Sequence, residues 1–315
     1  MIGRLAGAAA LAGAACFGYG LLIESRAFMV RRVRVPVLPA GAPDIRVLHV
    51  SDFHLMSRQK AKRAFLSALA GLEPDVVVST GDNLSEPEAL EPLVHDLGRL
   101  LQLPGVFVFG SNDYTAPAPK NPLGYLKGST SREGIEEDRV ALPSDKLRAA
   151  LSAGGWTDVD GKRASVEVLG VTLEFRGTDD AHLGLDDYSL VAGPPSEGTD
   201  VTIGVTHAPY SRVLDAMTAD GVQLILAGHT HGGQVCVPGW GALTTNCDLP
   251  PSQAKGLSIL HGPHGHITRL HVSAGVGSSP YAPYRFACPP EVTVLTLTGP
   301  EMTDTVQFGY TATRP

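Results

Sequence analysis

The sequence predicts an α/β fold with its functional site at the carboxyl ends of parallel strands. Two observations carry this. Short apolar runs at 45–51, 76–78 and 105–109 alternate with helical periodicity at 60–72 and 87–101. Each run also ends in a polar cluster: Asp52-Phe53-His54, then Gly81-Asp82-Asn83, then Gly110-Ser111-Asn112-Asp113. A strand–helix–strand rhythm gives parallel strand pairs, and such sheets bind ligands beyond the strands' carboxyl ends.

Taken in order, 30–38 reads as a first strand, running into a linker punctuated by Pro36, Pro39 and Pro43. The helix at 60–72 places Phe65, Leu66 and Leu69 on one face. Pro87 opens the helix at 87–101, where its missing N–H costs nothing. The stretch 114–139 breaks the rhythm with Pro, Gly, Ser and charge. It reads as an insertion, either a lid over substrate or a plain surface excursion. Lys120, Lys127 and Arg132 are its candidate phosphate contacts. A helix with Ser144 as N-cap follows at 144–153.

The second half is richer in strands. Runs at 164–169 and 171–176 form a hairpin about Gly170. A strand at 201–206 ends at His207, a helix follows through 217, and a strand at 222–227 ends at Gly228-His229-Thr230-His231. Further short strands read at 234–237, 257–261, 268–273 and 292–297. Pro263-His264-Gly265 has the residues of a hairpin turn, which makes His261, His264 and His266 turn neighbours rather than ligands. His49 lies inside a strand and reads as structural, and His271 likewise.

The 315 residues can bury one large core. The net charge is −7 with both signs mixed along the chain, so no basic stripe marks a nucleic-acid partner. The four cysteines, Cys16, Cys236, Cys247 and Cys288, form no Cys-x-x-Cys pair, which excludes zinc-ribbon and thioredoxin readings. Cys236 and Cys247 would pair only in an oxidising compartment.

Residues 5–23 carry no charge. As a helix they rise about 28 Å, close to the ~30 Å hydrocarbon core. Residues 1–26 therefore read as a membrane anchor or a cleaved signal, with 27–44 as linker and first strand. The anchor reading makes the bilayer a partner through 5–23 and places the chain in the cell membrane as a single-pass protein. Arginines after the span favour a cytoplasmic domain, but they also belong to the strand at 30–38, so the side stays open.

Asp52, His54, Asp82, Asn112, His207, His229 and His231 form a set of carboxylates, imidazoles and an amide at strand ends. These donors suit Mn, Fe, Zn or Mg rather than a thiolate-loving ion. Asp-x-His and His-x-His put both side chains on one face of an extended segment. Two ions about 3.5–4 Å apart, joined by one carboxylate, can clamp an in-line phosphoryl displacement.

The order Asp-x-His, Gly-Asp-Asn, a Gly-x-Asn element, a lone His and Gly-His-Thr-His-x-Gly resembles the calcineurin-like metallophosphoesterase superfamily over about 45–298. The N-terminal span, with Gly275-Val276-Gly277 and Pro289-Pro290-Glu291, is similar to its membrane-associated bacterial branch. The resemblance implies a four-layer sandwich of two mixed β-sheets flanked by helices, over 45–315. It implies two divalent metal ions. Asp52, His54 and His231 would hold the first, Asp82 would bridge, and His207 and His229 would hold the second with an amide oxygen from the third motif. His229 would also stabilise charge on the phosphoryl oxygens.

The third motif departs from the family's Gly-Asn-His. In register, Ser111 stands at the ligand position and Asn112 at the histidine. With a one-residue slip, Asn112 keeps the ligand role and Asp113 takes the place of the histidine that serves the leaving group; an amide oxygen is the better ligand, which favours the slip. Asp113 is then the candidate catalytic acid. The implied function is hydrolysis of a phosphodiester or pyrophosphate by metal-bound hydroxide, on a lipid- or nucleotide-linked substrate. Alternatives are a phosphomonoesterase, or a membrane-tethered metal- or phosphate-binding protein without turnover.

Overall fold

The computed structural model describes residues 2–119, 139–300 and 311–313. Two mixed sheets face one another. The first holds β1 (Met29–Pro36), β2 (Ile45–Val50), β3 (Val76–Ser79), β4 (Gly105–Phe107) and β5 (Trp156–Asp158), with β14 (Glu291–Thr298) and β15 (Thr311–Thr313). Its order is β15-β1-β14-β2-β3-β4-β5. From β2 to β5 every pairing is parallel, as the strand–helix rhythm predicts, while β14 runs antiparallel to β2.

The second sheet holds β6 (Arg163–Val168), β7 (Val171–Gly177), β8 (Val201–Val205), β9 (Leu224–Ala227), β12 (Gly256–His261) and β13 (Ile267–Val272). Its order is β12-β13-β9-β8-β7-β6. The hairpin about Gly170 pairs β6 with β7, and the turn at 263–265 joins antiparallel β12 and β13. Two two-residue strands, β10 (Cys236–Val237) and β11 (Gly241–Ala242), pair outside both sheets.

Strand alternation sorts the core into layers. On β2, Val47 faces the second sheet, and Leu48 and Val50 face helices. Val76, Val78 and Val106 meet Phe175, Ile203, Val205 and Leu226 between the sheets. Helices α2 (Lys60–Ala68), α3 (Leu90–Leu97) and α5 (Ser144–Gly154) cover the outer face of the first sheet with Phe65, Leu66, Leu93, Leu97, Leu147 and Leu151. Helix α6 (Ser211–Ala219) covers the second with Val213, Leu214 and Met217. The layers are helix, sheet, sheet, helix. A short helix α4 (Ser111–Tyr114) follows β4. The sequence reading missed β5, and α5 begins after Pro143 with no side-chain cap from Ser144. The four cysteines are free thiols.

The N-terminal reading needs correction. Residues Ile2–Leu22 do form a helix, α1, yet among the described residues no helix is long and apolar enough to cross a membrane. Alanine and glycine make up most of the middle of α1. Its last turns pack on the domain. Phe17 meets Tyr284 with ring centroids 5.6 Å apart, and Arg285 N–H donates to the Gly20 carbonyl at 3.2 Å. Just past α1, buried Glu24 accepts from the backbone N–H of Ala287 and Cys288.

Of the insertion at 114–139, residues 120–138 lie outside the described residues, and with them Lys120, Lys127 and Arg132. At its edges Thr115 bridges Ala141, so the chain leaves and returns at one place.

Phe175 is fully buried between the sheets. Phe175→Ala should cost about 3–5 kcal/mol of stability, read by denaturant unfolding.

Candidate active site

The polar clusters at the ends of β2, β3, β8 and β9 converge on one buried centre. Asp52, His54, Asp82, His207 and His229 are each at most 5% exposed. Two groups of ligand atoms lie within 4.8 Å of one another: Asp52 with His54 and His231, and Asp52 with Asp82 and His207. Asp82 Oδ2 stands between the histidines of both, 3.3 Å from His54 Nε2 and 3.5 Å from His207 Nε2. His54 Nε2 faces His231 Nε2 at 3.3 Å, and His207 Nε2 faces His229 Nδ1 at 3.3 Å.

Backbone shape aims these side chains. Asp52, His54, Asp82, His229 and His231 all have positive φ, between 40° and 68°. Each such residue costs on the order of 1–2 kcal/mol for an L-amino acid. The chain turns sharply at the strand ends, so the side chains reach one centre through left-handed backbone rather than through the extended segments that the spacing suggested. Two glycines admit the crowding. A Cβ on Gly228 would strike Ser51 Oγ and stand 2.6 Å from Asp52 Oδ2; one on Gly110 would meet Asp82 and the His207 ring.

Three of the four histidines pass a test of fitness for a cation, while the buried Nδ1 of His54 has no hydrogen-bond partner. A metal-ligating imidazole usually donates its other N–H to a carbonyl or carboxylate, which fixes its tautomer. His207 Nδ1 donates to the Thr80 carbonyl at 2.6 Å. His229 Nε2 donates to the Asn246 carbonyl at 3.2 Å, and His231 Nδ1 to the Gly277 carbonyl at 3.0 Å. The nitrogens left over are the ones that face inward. Arg285, itself buried, also donates to the Gly277 carbonyl at 2.5 Å, and buried Lys62 donates to the carbonyls of Phe53 and His54.

The electrostatics agree. Burial lowers His229 and His231 well below the ordinary imidazole pKa, and lowers His54 to about 4 against the pull of Asp82. These rings are neutral and ready to ligate. Burial also works against charge on His207, but Asp82, Asp52 and Asp180 outweigh it and hold its pKa well above the ordinary value. Burial alone would raise Asp82; the charge and hydrogen bond of His207, with His54 and Asn112, keep it well below the carboxylate range. Asp52 is pushed up to about 6 by burial, with the His207 charge opposing.

The third motif is clarified by position. Asn112 N and Nδ2 both donate to Asp82, to Oδ1 and Oδ2 at 2.7 Å each. Its amide therefore lies beside Asp82, a position open to Asn112 in either register. Asp113, the candidate acid, is placed otherwise. Its Oδ2 accepts from the N–H of Asp82 and Gly110, and its Oδ1 from the N–H and side-chain amide of Asn83. It is fully buried. Burial, then the Asp82 charge, push its pKa up to about 7 against those donors. A carboxylate with both oxygens committed to these donors clamps the β3 and β4 loops together and has no oxygen turned to a substrate.

Two neighbours were not read from the sequence, while His182, which with Asp179 and Asp180 follows a strand that could approach the site, does reach it. Asn246, at φ 58°, and Gly277 supply carbonyls from distant loops, and no local motif announces them. His182 sits over His229 at 4.8 Å between ring centroids and pairs with Tyr210 Oη. His261, His264 and His266 belong to the β12–β13 hairpin, as expected.

A family profile described as calcineurin-like phosphoesterase matches residues 45–233. The chain belongs to that family, whose members use divalent metals to hydrolyse phosphoesters. Among its relatives is the Bacillus subtilis protein named uncharacterized metallophosphoesterase YkuE, 27% identical over 94% of this chain and 94% of that one. Another is the Escherichia coli protein named phosphodiesterase YaeI, 28% identical over 92% of this chain and 96% of its own length. A bovine protein named for a transmembrane chain with a metallophosphoesterase domain is 28% identical over 69% of this chain and 47% of its own.

A cation must take the inward lone pair of His207, which holds a proton because its pKa is raised. Manganese binding should therefore release protons, and its affinity should rise with pH from 6.5 upward to the raised pKa. Calorimetry in buffers of different ionisation heat checks this; a buffer-independent heat would contradict it.

Proposed function

We propose that the chain is a dinuclear metal-dependent phosphodiesterase. The observation that carries this reading is Asp82 Oδ2, placed between two pairs of facing imidazole nitrogens. Asp52, His54 and His231 would hold one divalent ion, His207, His229 and Asn112 would hold the other, and Asp82 would serve both. Mn, Fe, Zn and Mg all suit these donors. When bound, such ions supply Lewis acidity that activates water and neutralises charge on a phosphoryl group.

The protein's own residues then hold and orient. Carbonyls of Thr80, Asn246 and Gly277 lock the rings of His207, His229 and His231, so these three need not reorganise as charge develops. Asn112 is kept at the centre by Asp82, and the loop that carries it is kept by Asp113. With Asp113 closed in, the third motif offers no proton to the leaving group. A diester or pyrophosphate with a stable leaving group suits that arrangement. A monoester dianion suits it less, because the buried cations Lys62 and Arg285 are committed to backbone carbonyls. The YaeI relative, named a phosphodiesterase, supports the same choice.

Leu11, Phe17, Leu22 and Ile23 of the α1 region are more than half exposed. They support contact of this face with a bilayer surface and hence an amphiphilic substrate. Flotation with lipid vesicles tests that contact; a chain that stays in the aqueous fraction would count against it.

The manganese-loaded chain should hydrolyse bis(4-nitrophenyl) phosphate, and the rate should fall steeply as the leaving group's pKa rises. Asp82→Asn should cost at least about 100-fold in kcat/KM, a loss of roughly 2.7 kcal/mol or more in transition-state stabilisation. Full metal loading without turnover on any ester would instead mark a binding protein.

A further inference from the structure

A file of polar side chains crosses the inter-sheet core and ends on Asp52. His271 Nδ1 lies 2.9 Å from His49 Nδ1, and His49 Nε2 lies 3.0 Å from Thr80 Oγ1. Thr80 Oγ1 donates to Ser51 Oγ at 2.7 Å, and Ser51 Oγ donates to Asp52 Oδ2 at 2.5 Å. His49, Ser51, Thr80 and His271 are each at most 1% exposed. Strand alternation places them there. On β2 and β3, residues 47, 49 and 51, and 76, 78 and 80, share the inner parity; on β13, Leu270 and Val272 face α6, which turns His271 inward.

Counting protons fixes the direction of every link. An ionised carboxylate only accepts, so Ser51 gives its one proton to Asp52. Ser51 then accepts from Thr80, which has given its own proton, so Thr80 must accept from His49 Nε2–H. Burial, then the neighbouring His271, hold His49 well below the usual imidazole pKa, and burial lowers His271 to about 3. Both rings are neutral, so His49 Nδ1 is a lone pair and His271 Nδ1 carries the proton between them.

We propose that His271, His49, Thr80 and Ser51 form a one-way hydrogen-bond relay that positions Asp52 for its cation. The four donors all point towards the carboxylate, and each polarises the next. The relay occupies Oδ2, while Oδ1 is the oxygen 3.8 Å from His231 Nε2. Thr80 serves both halves of the centre, since its carbonyl orients His207 and its hydroxyl carries the relay. Gly228 keeps the lane open, because a Cβ there would strike Ser51 Oγ. These are positioning residues; they act through Asp52. The inference rests on the reading of Asp52 as a cation ligand.

Two measurements on the full chain test it. Histidine 15N NMR of the metal-free protein should show His49 as the Nε2–H tautomer and His271 as Nδ1–H. Calorimetric titration with Mn2+ alone should show Thr80→Val and His271→Leu weakening one of the two sites by roughly 10–100-fold, as loss of an outer-shell partner does. Thr80→Ser, which keeps the hydroxyl, should restore the affinity. A residue with only a packing role would lower the melting temperature and leave the Mn2+ affinity of the folded chain alone. Opposite tautomers in the wild type, or wild-type Mn2+ affinity in Thr80→Val, would overturn the relay. A wild-type chain that binds no Mn2+ would overturn the cation reading instead, which separates the two failures.

Discussion

Asp82 is a carboxylate buried where water cannot solvate it, and much of the surrounding structure answers that constraint. An unpaired charge at such a depth costs several kcal/mol. Here Oδ1 takes the Asn112 N–H, and Oδ2 takes the Asn112 amide with His54 and His207 close by. Those partners come from the ends of β2, β4 and β8, so satisfying one group ties both sheets together. The β3 loop that carries Asp82 is in turn held by Asp113, whose fixed oxygens are occupied by that task.

The centre is also a place of stored strain. Five of its residues hold left-handed backbone that suits glycine better than aspartate or histidine. The surrounding hydrogen bonds over-determine these shapes: Asp52 N–H to the Gly81 carbonyl at 2.8 Å and His54 N–H to the Asp82 carbonyl at 2.9 Å lock the first two loops together. A site bent into shape before anything binds loses little by reorganising when charge arrives. The same rigidity extends outward. Arg285 joins the Gly277 carbonyl behind His231 to the segment against which α1 is packed, so the N-terminal helix buttresses the His231 side of the site.

Much of this was legible in the sequence, for definite reasons. The parallel pairing of β2, β3 and β4 followed from alternation of apolar runs and helical faces, and six of the convergent side chains stood at strand ends, four of them in the pairs Asp52/His54 and His229/His231. Asn112 was legible as a residue of the site in either of two registers, and its bonds to Asp82 hold it beside the centre. Other features depended on distant parts of the chain meeting. Asn246 and Gly277 act through carbonyls, which every residue has, so side-chain chemistry could not single them out. His49 and His271 looked like core histidines, and they are buried; their hydrogen bonds to each other and to Thr80 exist only because β2 and β13 face one another. Length and lack of charge suggested a span for 5–23; the contacts of its last turns with residues 284–286 depend on distant parts of the chain and could not be read there.

The central claim is that Asp82 joins two ions into one centre. Electron paramagnetic resonance of the chain loaded with manganese addresses it most directly. Two ions about 3.5–4 Å apart should give an exchange-coupled spectrum. An isolated six-line signal at full loading would contradict the account.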